Sequence, residues 1–169
     1  MSNARLPRAL FFVIVVAAFL QCMHDLPQLP NRIASHFGPS GMPNGWMSKT
    51  PFVVLYAVMV LVAASAVFLV PRSIAKTSND RIHLPHKEYW LAPERRAETW
   101  AYFERHFAWY GCVFLLLIVF AMELVIQANF RTPPQLSSGP FLFLILAFLL
   151  FNLVWVIQLF RRFSKTPQA

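Results

Sequence analysis

The stretch PFVVLYAVMVLVAASAVFLV, residues 51–70, holds 20 consecutive residues without a charged side chain. An α-helix rises about 1.5 Å per residue, so a helix of this length reaches about 30 Å, the thickness of the hydrocarbon core of a bilayer. A helix satisfies its backbone hydrogen bonds within its own segment, as lipid requires. The stretch therefore predicts a membrane-spanning helix.

Three other apolar runs predict further spanning helices. Residues 107–126 contain Glu123 as their one charge, and residues 140–160 contain none. Residues 9–23 are also uncharged, but 15 residues reach only about 22 Å, so this helix has to extend into its flanks. Two preceding arginines also fit a signal peptide, but no A-x-A cleavage pattern follows, which favours an uncleaved helix. The sequence thus predicts an all-α integral membrane protein with four transmembrane helices.

The composition agrees with a membrane protein and excludes several other classes. The chain is 57% hydrophobic and 13% charged, whereas a soluble domain carries about 25% charge. This excludes intrinsic disorder, a coiled coil and a secreted disulfide scaffold. The net charge of +8 would suggest nucleic acid in a soluble protein, but in a membrane protein the cations first set orientation. We therefore expect membrane lipids, and no nucleic acid, as partners.

The distribution of cations predicts the topology. Of the 15 lysines and arginines, only Arg32, Lys49 and Arg131 lie in the loops after the first and third helices. The other cations precede the first helix, lie between the second and third, or follow the fourth. Because the cation-rich side of a membrane protein faces the cytoplasm, both termini are expected inside, where the cations can also meet anionic lipid headgroups. The loop 25–50 is then the outer loop.

The chain divides into three segments on this reading. Residues 1–70 hold the first helix, the outer loop and the second helix. Residues 71–106 form a cytoplasmic loop, in which Pro93 is expected to begin an amphipathic helix that runs directly into the third span. Residues 107–169 hold the third and fourth helices and a short basic tail.

The outer loop is rich in turn-forming residues. The runs GPSG, residues 38–41, and MPNG, residues 42–45, predict two successive tight turns, for which Gly38, Gly41 and Gly45 supply conformational freedom. Trp46 is then expected at the membrane interface beside the second helix. A loop of this kind is expected to adopt one compact conformation, which a simple connection between two helices would not need.

The pattern LP…HFGxxGxPxGWxSK in residues 26–49 resembles the signature loop of a bacterial membrane family of unknown function. That family includes the N-terminal part of SdpI-type toxin-immunity proteins. The resemblance covers the first two helices and their loop. It implies a location in the bacterial cytoplasmic (inner) membrane, protection against a secreted peptide toxin, and capture of a cytoplasmic repressor at the membrane.

An outer polar cluster is predicted around Glu123, which lies about 4.5 Å below the outer end of the third helix. An ionisable group at that depth needs a partner, and we expect Lys49 or His36 within reach of it. Gln127, four residues later, shares its helix face. Such a cluster would either pin the loop to the helices or bind a ligand. The predicted members are His24, Asp25, His36, Lys49, Glu123 and Gln127.

The sequence offers no enzyme motif. It contains no G-x-S-x-G, Walker loop or carboxylate pair, and its histidines lack the spacing of a zinc site. No catalytic residue, cofactor or metal is therefore expected. The interpretation is a non-enzymatic membrane protein whose outer loop senses or blocks an extracellular ligand, such as a peptide. The alternative is an accessory subunit that packs against a larger membrane protein complex.

The topology is testable with a reporter that is active only in the cytoplasm. A fusion after Asp80 should be active, because this position lies in the cation-rich loop, and a fusion after Ser40 should be silent. Reporter activity after Ser40 would contradict the orientation derived from the cations.

Overall fold

The computed structural model describes residues 4–166. The ends of the first and third predicted segments, residues 1–3 and 167–169, lie outside the described residues. In chain order the elements are α1 (Arg5–Asp25), β1 (Arg32–Phe37), β2 (Pro43–Ser48), α2 (Lys49–Phe68), α3 (Val70–Lys76), α4 (Lys87–Trp90), α5 (Pro93–Asn129) and α6 (Ser138–Phe163). Short 3₁₀ turns at Leu26–Gln28 and Asn79–Arg81 complete the connections.

Helices α1, α2, α5 and α6 are each long and apolar enough to cross a membrane. The chain is a multi-pass membrane protein, and the prediction of four transmembrane helices is confirmed. Helix α1 begins at Arg5, so the short first run does extend into its flanks. Helix α5 has 37 residues from Pro93 onward, so the amphipathic segment and the third span form one continuous helix.

Helix α5 is the central element, because α1, α2 and α6 each pack against it. The buried side chains of α1, α2 and α5 form one apolar cluster, whose larger members include Phe11, Phe52, Leu115, Ile118 and Ile126. Helix α6 lies at the periphery, and none of its most apolar stretch is buried by the described chain. Its contacts with α5 include a hydrogen bond from the Tyr110 hydroxyl to Asn152 Oδ1 at 3.0 Å.

Helices α2 and α5 approach each other closely at Gly111. A Cβ atom at this position would lie 2.1 Å from Val67 Cγ2 and 3.4 Å from the carbonyl oxygen of Ala63. Small residues of this kind let helix backbones come together in lipid, where packing rather than exclusion of water holds helices in place. One residue further along, the Cys112 thiol donates to the carbonyl oxygen of Pro7 on α1 at 3.0 Å.

The start of α1 and the end of α6 lie at the same end of the helices, which we call the terminal end. Arg8 near the start of α1 pairs with Glu104 of α5 at 3.4 Å, and Arg162 near the end of α6 pairs with Glu98 at 3.0 Å. Phe163 stacks on Phe103 there. The opposite end carries the two strands, and we call it the hairpin end.

The strands β1 and β2 form an antiparallel hairpin, residues 32–48. At its tip the amide of Gly41 donates to the Gly38 carbonyl at 2.9 Å, and Gly41 has a φ of +78°, which explains the glycine. The first predicted turn is therefore present. The second, at residues 42–45, is wrong, because Pro43–Ser48 is a strand. Within residues 4–166 this hairpin is the one β-sheet, and the sequence analysis did not predict it.

Substitution Gly111→Ala tests the α2–α5 contact. The added methyl group overlaps Val67, so the variant should lose about 1–3 kcal/mol of unfolding free energy in detergent. Combining it with Val67→Ala should recover part of the loss. Gly139→Ala is the matched control, because nothing lies within 4 Å of a Cβ atom there. Equal melting temperatures for Gly111→Ala and Gly139→Ala would contradict the close approach.

Candidate functional site at the hairpin end

The hairpin is attached to α5 through the side-chain amide of Asn129, the last residue of that helix. Asn129 Oδ1 accepts from the backbone amide of Ala34 at 2.7 Å, and Nδ2 donates to the Ala34 carbonyl at 2.9 Å. The same Nδ2 donates to the carbonyl of Val125 at 2.8 Å. Asn129 and Ala34 are both buried. The amide thus pairs with the open edge of β1 as a neighbouring strand would.

The hairpin tip is attached separately, to the segment between α5 and α6. The backbone amide of Leu136 donates to the Gly41 carbonyl at 2.9 Å, and the Ser138 hydroxyl donates to the Pro39 carbonyl at 3.4 Å. A Cβ atom at Gly41 would lie 2.3 Å from the Leu136 carbonyl oxygen. Glycine is therefore needed at position 41 for two reasons: its φ is positive, and a side chain would overlap the Leu136 carbonyl.

One face of the hairpin remains exposed and carries an aromatic and a cation. The Arg32 guanidinium lies over the Trp46 ring, 5.2 Å from its centroid, and Trp46 is 41% exposed. Residues Ile33 and Met47, which pair across the strands, instead pack onto the helical core. The hairpin therefore presents an exposed Arg–Trp pair.

Beneath the hairpin, Glu123 is held by amide side chains. Gln21 Nε2 of α1 donates to Glu123 Oε2 at 2.6 Å, and Gln127 Nε2 donates to Oε1 at 2.8 Å. Gln21 in turn accepts from the hydroxyl of the buried Tyr56 of α2 at 2.8 Å. The network joins α1, α2 and α5, and it satisfies both carboxylate oxygens without a cation.

The predicted polar cluster is therefore only partly assembled. Gln127 does contact Glu123, but Lys49 reaches toward the Pro27 carbonyl at 3.5 Å, and neither Lys49 nor His36 bonds to Glu123. Among residues 4–166 the expected ion pair is not formed, and each carboxylate oxygen instead accepts from a neutral amide. His24 Nδ1 and Asp25 Oδ1 form a separate pair at 2.7 Å.

The sequence analysis missed residues whose hydrogen bonds connect the helices to one another and to the hairpin. Gln21, Tyr56 and Asn129 carried no signal in the sequence beyond being polar groups in or beside apolar runs. Of the predicted loop residues, Gly41 and Trp46 have defined roles in the hairpin. A Cβ atom at Gly45 would lie 2.8 Å from His36 Cβ across the strands, whereas Gly38 has room for one.

The described residues bring together no group of three or more His, Cys, Asp or Glu side chains that could hold a metal. Cys22 and Cys112 are both free. What the hairpin end offers chemically is an anchored strand pair, an exposed cation–aromatic face and a hydrogen-bonded carboxylate beneath it.

The hairpin is part of a recognised domain. The family model described as Domain of unknown function (DUF1648) matches residues 12–71, which hold most of α1, the hairpin and α2. No curated protein and no solved structure matches the chain. The match covers 60 of the 169 residues and is to a membrane-associated domain family.

The polar network predicts which pairs of substitutions are coupled. Gln21→Leu and Glu123→Leu remove the two ends of one hydrogen bond, so their effects on the free energy of unfolding should differ from additivity by about 1 kcal/mol. Lys49→Met and Glu123→Gln should be additive within about 0.5 kcal/mol, because these residues share no contact. Thermal unfolding in detergent of the singles and doubles measures both couplings. Strong coupling to Lys49 and none to Gln21 would contradict the network.

Proposed function

We propose that this chain is a non-enzymatic, SdpI-like protein of the bacterial cytoplasmic membrane, whose hairpin senses or blocks an extracellular ligand. The hairpin end would face outward and the terminal end the cytoplasm. The cation distribution and the position of the start of α1 and the end of α6 at one end of the helices support this orientation. The match of a membrane-associated domain family to residues 12–71 supports the placement in a membrane.

The observation that carries the proposal is the anchoring of the hairpin. Two independent sets of hydrogen bonds, at Ala34 and at Gly41, fix its position on the helices. A surface that is already ordered loses little conformational entropy when a ligand binds, which favours affinity. A loop that merely connects two helices needs neither set of bonds.

The exposed face has the chemistry of a recognition surface. Trp and Arg are enriched among residues that dominate binding energy, and here Arg32 and Trp46 are stacked in one geometry. In the described chain β2 pairs only with β1, so its far edge has no strand neighbour. An extended peptide can pair with such an edge. A secreted peptide toxin, as for SdpI-type immunity proteins, is the ligand class that fits these features.

The alternative function is that of an accessory subunit in a larger membrane complex. The peripheral position of α6 favours it, since this helix packs on α5 and leaves large side chains such as Phe143 exposed. A stoichiometric membrane protein that copurifies in mild detergent would support this alternative.

The immunity proposal is tested by expressing the chain in bacteria that are sensitive to the peptide toxin neutralised by SdpI-type proteins. Wild type should raise the toxin concentration that halves growth, and Trp46→Ala should remove most of that protection, about tenfold in concentration. Phe143→Ala is the matched control, an exposed aromatic on α6 that should protect as wild type does. Western blots and melting temperatures should show equal amounts and stability.

Full protection by Trp46→Ala would contradict a role for the exposed face. An absence of protection by wild type, at normal expression, would contradict the immunity reading and leave the subunit alternative.

A further inference from the structure

A lateral cleft lies between α2, α5 and α6 directly beneath the hairpin. Its volume is about 430 Å³, within the range of small-ligand sites. Its walls are apolar and include Leu55, Val58, Phe114, Leu117, Phe141 and Ile145. Its polar lining residues are Ser35 and His36, which belong to β1 of the hairpin. The cleft is thus polar at one end and apolar along its length.

A β-bulge directs these two polar residues into the same cleft. Successive side chains of a regular strand point to opposite faces, so neighbours such as Ser35 and His36 would normally diverge. The strand register shifts between Ala34 and His36, which leaves Ser35 as the extra residue of a bulge. Opposite His36 stands Gly45, where a Cβ atom would lie 2.8 Å from His36 Cβ. The hairpin is therefore built to place both side chains at the cleft.

The cleft has the length of one membrane leaflet. Along α2 it runs from Phe52 to Val62 and along α5 from Phe114 to Val125. At about 1.5 Å per residue these are about 15 Å and 16 Å, half of the 30 Å hydrocarbon core. A groove of that depth, beginning at the hairpin end, matches a lipid chain that enters from the same leaflet.

The polar atoms at the cleft are free to bind a headgroup. Neither the Ser35 hydroxyl nor the His36 ring has a hydrogen-bond partner among residues 4–166. A hydroxyl and an imidazole N–H are both donors, and phosphate oxygens are strong acceptors. We propose that the cleft is a phospholipid site, in which one acyl chain lies between α2, α5 and α6 and the phosphate meets Ser35 and His36.

The chain also contains a matched control site. A second cleft of about 470 Å³ lies between α1 and α2 and is lined by residues such as Phe19, Val53 and Ala57. Its one hydroxyl, that of Tyr56, already donates to Gln21. This second cleft therefore lacks free hairpin donors for a phosphate.

The test uses the full chain in nanodiscs of phosphatidylglycerol, followed by native mass spectrometry after exchange into mild detergent. Wild type should retain one phospholipid per chain. Ala121→Trp fills the cleft and should abolish retention, whereas the matched Ala57→Trp in the second cleft should leave it unchanged. The pair Ser35→Ala and His36→Ala should lower retention about tenfold, the factor that corresponds to about 1.4 kcal/mol. Equal loss with Ala57→Trp, or no retained lipid with wild type, would overturn the proposal.

A second measurement does not depend on whether Ala121→Trp folds. The lipid probe is phosphatidylglycerol that carries a photoactivatable diazirine at the end of its acyl chain. It should label Val62 and Phe114, at the apolar end of the cleft, more strongly than the exposed α6 residues Leu146 and Leu149. Uniform labelling of all lipid-facing residues would overturn a specific site. A copurified peptide in the cleft would also overturn the lipid assignment.

Discussion

The side-chain amide of Asn129 holds the edge of β1 on the end of α5, because it pairs with both backbone groups of Ala34. Both partners are buried, so removal of the amide would leave a backbone donor and acceptor unsatisfied, at about 1–3 kcal/mol each. The exposed face of Arg32 and Trp46 and the polar lining of the lateral cleft are parts of the same hairpin. Their geometry therefore depends on this contact between the end of α5 and the edge of β1, together with the second attachment at Gly41.

Helix α5 connects the two ends of the molecule. At the hairpin end it carries Glu123 and Asn129, and at the terminal end Phe103 and Glu98 contact the end of α6. Its middle packs closely against α2 at Gly111. Because α1, α2 and α6 each pack on α5, the hairpin has a continuous helix beneath it as a support.

The spanning helices could be predicted because length and absence of charge are local properties of the sequence. The hairpin could not, since Pro43 and Gly45 are disfavoured in strands and the register contains bulges. Asn129 looks like an ordinary residue at a helix end, and its partner Ala34 lies 95 residues away. For Glu123 the need for a partner was predicted correctly, but the expected partner was a cation. In the structure the side-chain amides of Gln21 and Gln127 donate to the carboxylate instead. The identity of a partner depends on tertiary structure that no spacing reveals.

Hydrogen exchange at the Ala34 amide tests the central claim most directly. In wild type this amide should be protected, because its hydrogen goes to a buried side-chain oxygen. Asn129→Ala should raise its exchange rate by at least about tenfold, while Gln127→Ala, an exposed amide two residues earlier on α5, should leave it unchanged. Unchanged protection of the Ala34 amide in Asn129→Ala would contradict the account, because the edge of β1 would then stay in place on α5 without the Asn129 side chain.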